Sequence, residues 1–575
     1  MRPVIRLALY ALFGVIAHPA FAQPLGAEDA LLAADRMRLM SPQSSFRSEL
    51  GLGQVGEDIY ANLFLRLSFD QANWGIGVGL PLRLRLIDNE PKSDAAAGIF
   101  RKEDWDEAAD FFRLLRYVYI GDPAKRGPYY VRLGELWGVS LGHGTIVHRF
   151  TNALDLNNYR LGADLAVNVG PFGGEVLVGD MLRPSDNGML GFRATVRPLV
   201  VADYFEEGAA FETAEAFRGG SAIPAPLGDP GAPVLVAQTT AAPGDAPRGA
   251  DTSSIAAPFA APGAGATSAS SAGLGAANAT PRSMPRSTPA AATSAEPRRR
   301  ARGAGFDWRE RLVVGLSLVT DPTAPLALTP GAMGQGTVLT DRGLPEVARH
   351  RALVVLGLDV GYELVRSSLI NVTPYVDFNN ITFVENGWGF HAGVLWTLGI
   401  PVVLDTLTVN LKTEYRRVSG DYLSPYFDSA YLVERYAFPQ RGASPKLATL
   451  AALGTASAKN GWVFDLIAGL PKYVFIGGEF IDYDGGQNDG TLRLSLQVPA
   501  LEVVRFNAFY LRTGIGGAAD LFALDDRSAV VAEAEVPVYG YLSVRARWWR
   551  LWRAVEGGFE ATDDWSIGVG LNLPL

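Results

Sequence analysis

Gly138-Val139-Ser140-Leu141-Gly142 spells GxSxG, and His143 follows at once, close enough for a serine and a histidine to meet. A nucleophile elbow needs a strand, a sharp turn and then a helix that lifts the serine above a sheet. The continuation HGTIVHRF is no helix former, no strand–helix alternation surrounds it, and no orienting third member stands out. A hydrolase using Ser140 is therefore the third-ranked reading. His143 and His148 invite a metal site, but residues five apart face opposite sides of a strand and sit roughly 140° apart on a helix. Each reads as a lone histidine in a polar loop. Gly51 to Gly56 spells GxGxxG, yet SPQSSFRSE precedes it where a dinucleotide site needs a buried strand. YLSPYFDSAYLVERY and IDYDGGQNDG carry carboxylates that could hold calcium in a loop, without EF-hand spacing. There is no cysteine, so thiolate metal sites, thiol redox chemistry and disulfides are excluded. The sequence thus assigns no catalytic, cofactor or metal residue and implies no cofactor.

The more informative charges lie on alternating segments. In Thr406 to Arg416, Leu407, Val409, Leu411 and Tyr415 share one face, and Asn410, Lys412, Glu414 and Arg416 lie on the other. TLRLSLQV (Thr491 to Val498) alternates without a fault, and YLSVRARWW sets Ser543, Arg545 and Arg547 opposite Leu542, Val544 and Ala546. Period two makes these strands. In a membrane barrel an arginine facing lipid costs about 2–4 kcal/mol at the midplane, so such residues must point inward. The expected lumen-lining set is Arg83, Arg85, Arg132, Lys412, Glu414, Arg493, Arg505, Arg545 and Arg547, mixed with Asp164, Asp377, Asp465 and Glu479. They line either a wetted pore or a packed, salt-bridged interior.

What must position them is an all-β fold. About twenty-two strand-like segments run near ten residues each, the length of tilted membrane-crossing strands (~9–11) rather than of soluble strands (~5–6). The expectation is an antiparallel transmembrane β-barrel of roughly 18–24 strands with a short loop helix and a long disordered insertion. Asn386-Gly387 and Asn460-Gly461 suit type I′ turns. A tryptophan follows each, and others follow Asn73 and Asp564, so Trp74, Trp388, Trp462 and Trp565 are expected to form an aromatic girdle. Glu103 to Arg116 reads as a loop helix with Asp104 as N-cap and Trp105, Ala108, Phe112 and Leu115 on one face. From Ser221 to Gly305 the chain is Ala, Pro, Gly, Ser and Thr and closes on PRRRAR; it cannot bury enough apolar area to order itself.

Arg2 and Arg6, the apolar run Leu7 to Ala17 and Ala20-Phe21-Ala22 spell a cleavable export signal. The organisation read from the chain is a signal peptide over 1–22, an N-terminal periplasmic or plug segment over 23–56, barrel over 57–203, disordered linker over 204–305 and barrel again over 306–575. Charged residues are only 19%, and a net charge of −9 supplies no footprint for nucleic acid.

With its export signal, alternating strands, tryptophans after turns and lack of cysteine, the chain resembles uncharacterised, porin-like Gram-negative outer-membrane β-barrel proteins. Arg101 to Asn152 is similar to a recurring segment of such proteins. The resemblance implies residence in the outer membrane among lipid and lipopolysaccharide, and insertion by the barrel-assembly machinery. The ending Leu573-Pro574-Leu575 departs from the aromatic last residue usual there. A peptidoglycan or protein partner is expected through the linker. The leading function is a diffusion channel for small polar solutes; its rival is a non-conducting scaffold.

Overall fold

A computed structural model describes residues 44–574 except 207–307, 90–103 and shorter gaps, mostly in connections. The expected export signal, the helix over Ala27 to Met40 and nearly all of the 204–305 linker lie outside the described residues; Tyr204 belongs to a short helix, Val201–Glu206. Among the described residues no helix is long and apolar enough to cross a membrane.

Among the described residues twenty-one strands form one antiparallel sheet, and all but two adjacent ones pair with their sequence neighbours. Val347–Tyr362 and the two-residue strand Val365–Arg366 both pair with Ile370–Thr382, so the wall has 20 staves. The sheet closes on itself where Ser45–Val55 pairs with Gly558–Pro574, in register from Ser45 with Pro574 to Gln54 with Trp565. Closure leaves no unpaired edge, which a sheet inside lipid requires.

The strands are inside-out relative to a soluble protein. Leu542, Val544, Trp548, Ile567 and Val569 face outward and exposed, while Ser543, Arg545, Arg547 and Ser566 between them are buried. In Thr406–Val418 the buried residues are Asn410, Lys412, Glu414, Arg416 and, at the end, Val418. An apolar exterior around a charged interior is the arrangement lipid selects.

Several expectations are corrected. Residues 45–55, assigned above to a plug segment, are a wall strand, and Gly51 and Gly53 sit within it rather than in a lead-in. Asn460-Gly461 is not a turn; it pairs with Arg417 and Arg416 inside strand Lys459–Leu470. Asp564 likewise lies mid-strand opposite Trp549. Over Glu103 to Arg116, Ala108–Leu114 is a 3-10 helix and Leu115–Ile120 is already wall strand. Of its expected apolar face Phe112 is exposed while Trp105 and Leu115 are half-buried, and Asp104 is spent on Arg83 and Arg113 instead of capping. Five consecutive strands from Leu115 to Val196 run only 6–8 residues, shorter than expected.

The two ends of the barrel differ. One carries two-residue turns at 72–73, 170–171 and 540–541, and both Ser45 and Pro574. Val196 and Val314, which flank the long insertion, are partners at this same end. The opposite end carries the long connections 135–161 and 419–458.

Candidate functional site

Both long connections fold into the barrel. Between Tyr129–Gly134 and Gly162–Val169, the chain from Glu135 to Asn152 is irregular, yet all but Val139 of it is buried. A loop at that depth must satisfy its own backbone. Val139 and Phe150 form an antiparallel bridge, with reciprocal hydrogen bonds of 2.9 and 2.8 Å. The Asn152 side chain accepts from Leu136 N (2.7 Å) and donates to Arg160 O and Gly179 O (3.1 Å each), tying both ends of the loop together. Gly144 turns the tip at φ +74°, where a side chain would strain the backbone and strike the His148 ring.

The second connection, which includes helices Tyr431–Glu434 and Lys446–Ala452, meets the first. Val147 and Phe427 form a parallel bridge, and Ser424 Oγ donates to Thr145 O at 2.8 Å. Leu136, Val147, Phe150, Phe427, Tyr431 and Leu450 pack with the wall residues Val319, Val355, Ile381 and Val418 into one buried apolar cluster. This cluster, and a second formed by Trp549 and Leu551 against Ala430, gathers towards the long-connection end. Towards the short-turn end the interior is charged.

Wall charges grip the first connection. His143 Nδ1 lies 2.8 Å from Asp377 Oδ1, and Thr145 Oγ1 donates to Asp377 Oδ2 at 2.8 Å. The His143 ring stacks on Tyr375 at 4.1 Å, and Lys412 Nζ donates to His143 O at 2.8 Å. Lys412 also pairs with Glu414 at 3.0 Å, which is further held by Arg416, Tyr375 and His391. Five residues on, His148 Nε2 lies 2.7 Å from Glu479 and 3.5 Å from Asp465, and Arg149 pairs with Asp465. The two histidines are therefore not solvated loop residues. Each is buried against its own wall carboxylates. A cavity of about 10 Å³, room for one water, lies between the loop and the wall beside His143, Thr145, Asp359, Asp377 and Asn379.

Of the expected lumen set, all point to the interior side, but they do not form one site. Arg83 pairs with Asp104 (2.9 Å), and Arg85 with Asp58 (3.1 Å). Arg132 lies over Trp137 at 4.3 Å, and Arg493 over Phe509 at 5.3 Å. Arg505 pairs with Glu535 (2.8 Å), Arg545 with Glu49 (2.6 Å) and Arg547 with Glu533 (2.5 Å). Trp74, Trp462 and Trp565 are exposed on the outer face and Trp388 is half-buried, stacked on Phe378. Trp74 marks the short-turn end; the other three lie towards the opposite end. Reasoning from sequence missed Arg149, Arg193, Asp321, Asp359 and Arg435. Arg193 bridges Glu175 and Asp359, and Arg435 binds Asp321 at 2.8 Å. Asp359 sits in the alternating stretch LVVLGLDVGY, the one signal that could have found it.

Ser140 meets a partner that sequence spacing did not suggest. His148, not His143, approaches its Oγ, at 3.4 Å through Nδ1, and Glu479 stands behind the ring. That is the order of a serine–histidine–carboxylate relay. Ser140 is only 2% exposed, however, and its Oγ accepts the Arg149 amide at 2.9 Å. A nucleophile so enclosed has no room for an acyl substrate, and the hydroxyl acts as a joint of the loop.

In the second connection, Lys446 Nζ reaches Glu434 (2.5 Å) and Asp428 (3.3 Å). Burial and the nearby Asp428 push the Glu434 carboxyl up to about 7, against the pull of Lys446. Asp428 and its neighbours thus hold an ammonium, not the calcium that the acidic stretch suggested.

No protein-family model and no curated protein matches the chain. Among solved structures it is similar to OccK11 (OpdR) of Pseudomonas aeruginosa, at 10% identity over 93% of this chain and 95% of that one, TM-score 0.28. It is also similar to Wzi of Escherichia coli, described as an outer-membrane protein involved in group 1 capsule assembly and a carbohydrate-binding β-barrel. There the identity is 9% over 99% of this chain and 91% of that one, TM-score 0.29. A third is OprD of Pseudomonas aeruginosa, 8% identical over 93% and 95%, TM-score 0.28.

Proposed function

We propose that the chain is an outer-membrane channel for small polar solutes whose passage is controlled by the two inward connections. The observation that carries this reading is the layered interior. Charged side chains such as Arg505, Glu535, Arg545 and Arg47 line the short-turn half, and the folded connections stand across the other. Short turns are the periplasmic feature of bacterial barrels, so the plugged end faces outward. Ionised groups of both signs suit polar solutes without choosing anions or cations. Membrane lipid, lipopolysaccharide and the assembly machinery would be its surroundings, with peptidoglycan or a protein reached through the insertion.

A scaffold that conducts nothing is the second reading, and one observation favours it: Val147, Phe150, Phe427 and Leu450 are fully buried inside the barrel, as in a core that does not open. Single-channel recording in planar bilayers separates the two. A gated channel gives rare openings as wild type and steady conductance when 419–458 is replaced by a short Gly/Ser linker. Silence from both proteins, each confirmed folded by heat-modifiable migration, would remove the channel reading.

A further inference from the structure

We propose that His148, Asp465 and Glu479 form a binding site for one divalent transition-metal ion of the zinc kind, which fastens the first inward connection to the barrel wall. His148 Nε2, Asp465 Oδ2 and Glu479 Oε1 lie within 4.8 Å of one another, and all three residues are buried. Asp465 and Glu479 are direct cross-strand partners on Lys459–Leu470 and Val474–Tyr483. Like charges placed opposite one another destabilise a sheet unless something between them is positive. The imidazole nitrogen arrives at that point from the loop.

The ring nitrogen and the carboxylate oxygen face one another without the angles of a hydrogen bond, and an ion seated between them would part them to about 3.4 Å, the spacing of tetrahedral ligands at ~2.0–2.2 Å. His148 Nε2 and Glu479 Oε1 are 2.7 Å apart, yet among the described residues neither makes a hydrogen bond of acceptable geometry. On the other side of the ring, Nδ1 faces Ser140 Oγ at 3.4 Å. If Nδ1 carries the proton, Nε2 turns a lone pair towards the carboxylate oxygen, and a cation between them resolves the repulsion. Imidazole nitrogen with two carboxylates, each at ~2.0–2.2 Å from the ion, has the three-ligand count of an open zinc site with a fourth position left for water. Arg149 pairs with the remaining Asp465 oxygen and lies 3.8 Å from the other Glu479 oxygen, an outer shell that aims the inner oxygens. Of the two wall cations beside the pair, Lys412 is turned to Glu414 and the His143 carbonyl, and Arg493 stands opposite Glu479. Two arginines, Arg149 and Arg493, and one divalent ion against two carboxylates leave two positive charges, one of which a metal-bound hydroxide would cancel.

The neighbouring trio, His143 with Asp359 and Asp377, has the same kind of composition and a water-sized cavity beside it, but its carboxylate oxygens are already taken. Asp377 takes His143 and Thr145, and Arg193 takes both oxygens of Asp359, at 3.1 and 2.7 Å. It serves as the internal control.

The test uses the tag-free full-length protein, folded in detergent and stripped with a chelator. Cobalt(II) is titrated as the optical probe, and zinc is then bound for X-ray absorption. The site predicts one ion per chain, d–d bands from cobalt, and zinc with one imidazole and otherwise oxygen neighbours. His148→Gln and Glu479→Gln, each checked for heat-modifiable migration, should weaken binding at least ~10–100-fold, the cost of disturbing even an outer-shell partner. His143→Gln should leave it unchanged. Binding equal in wild type and His148→Gln, no binding at all, or zinc with more than one imidazole would overturn the proposal. The absorption measurement needs no variant, so a misfolded mutant does not shield it.

Discussion

Val147 and Phe427 share a parallel β-bridge inside the barrel, with His148 N donating to Phe427 O at 2.9 Å and Phe427 N to Ile146 O at 3.1 Å. Two connections far apart in the chain are thereby one body. Phe427→Ala removes a fully buried ring from their shared cluster, and such truncations cost about 3–5 kcal/mol. The expected outcome is a lower temperature of heat-modifiable migration together with more frequent channel openings. A lower melting temperature with unchanged silence would fit the scaffold instead.

Barrel closure is also electrostatic. Arg545, on the penultimate strand, reaches across the last strand to Glu49 on the first, at 2.6 Å. Glu49→Ala leaves a buried guanidinium with less compensation, a change that typically costs about 3–5 kcal/mol. Glu533 and Glu535 also face Arg545, at 3.6 and 3.1 Å, so the loss should fall at the low end of that range. Urea titration followed by tryptophan fluorescence measures it.

Facing matters more than residue type. Val544 is outward and exposed between the inward Ser543 and Arg545. Val544→Arg should cost up to about 2–4 kcal/mol, the figure for a residue at the midplane, and lower the yield of assembled barrel, although arginine is native at the very next position. Equal yields would contradict a lipid-facing exterior.

The insertion should be dispensable for folding. Leu190–Val196 and Leu312–Leu328 pair directly, from Leu190 with Thr320 to Val196 with Val314, so a short connection suffices between them. Deleting 207–306 is expected to leave heat-modifiable migration intact. A protease site placed at Ser270 should be cut only after the outer membrane is permeabilised, because the flanking strands end at the short-turn face. Cleavage on intact cells would reverse the orientation.

The Glu434 carboxyl supplies a pH test. Its folded pKa is raised from 4.5 to about 7 by burial and by Asp428. The folded state therefore holds an extra proton between those values, and stability falls as pH rises through that window. Below it both states are protonated; above it both are ionised and the loss is complete. Glu434→Gln should flatten the slope in a thermal series across the window. An unchanged slope would assign it to other groups.

Period two made the wall readable: Lys412 and Glu414 alternate with Leu411 and Tyr415, and lipid permits only one orientation of that pattern. The same logic located Asp377, Asp465 and Glu479 on inward faces. Closure of the sheet through Ser45–Val55 was not readable, because a polar lead and an edge-closing strand have the same local pattern. The inward connections were hidden for a different reason. HGTIVHRF and YLSPYFDSAYLVERY are irregular, and irregular backbone has no period from which burial can be inferred. Whether His148 sits in water or against Glu479 depends on which strands stand beside the loop once the barrel has closed. Local residue pattern therefore determined the inside and outside of the wall; only the tertiary structure decided what fills it, since those contacts join residues hundreds of positions apart.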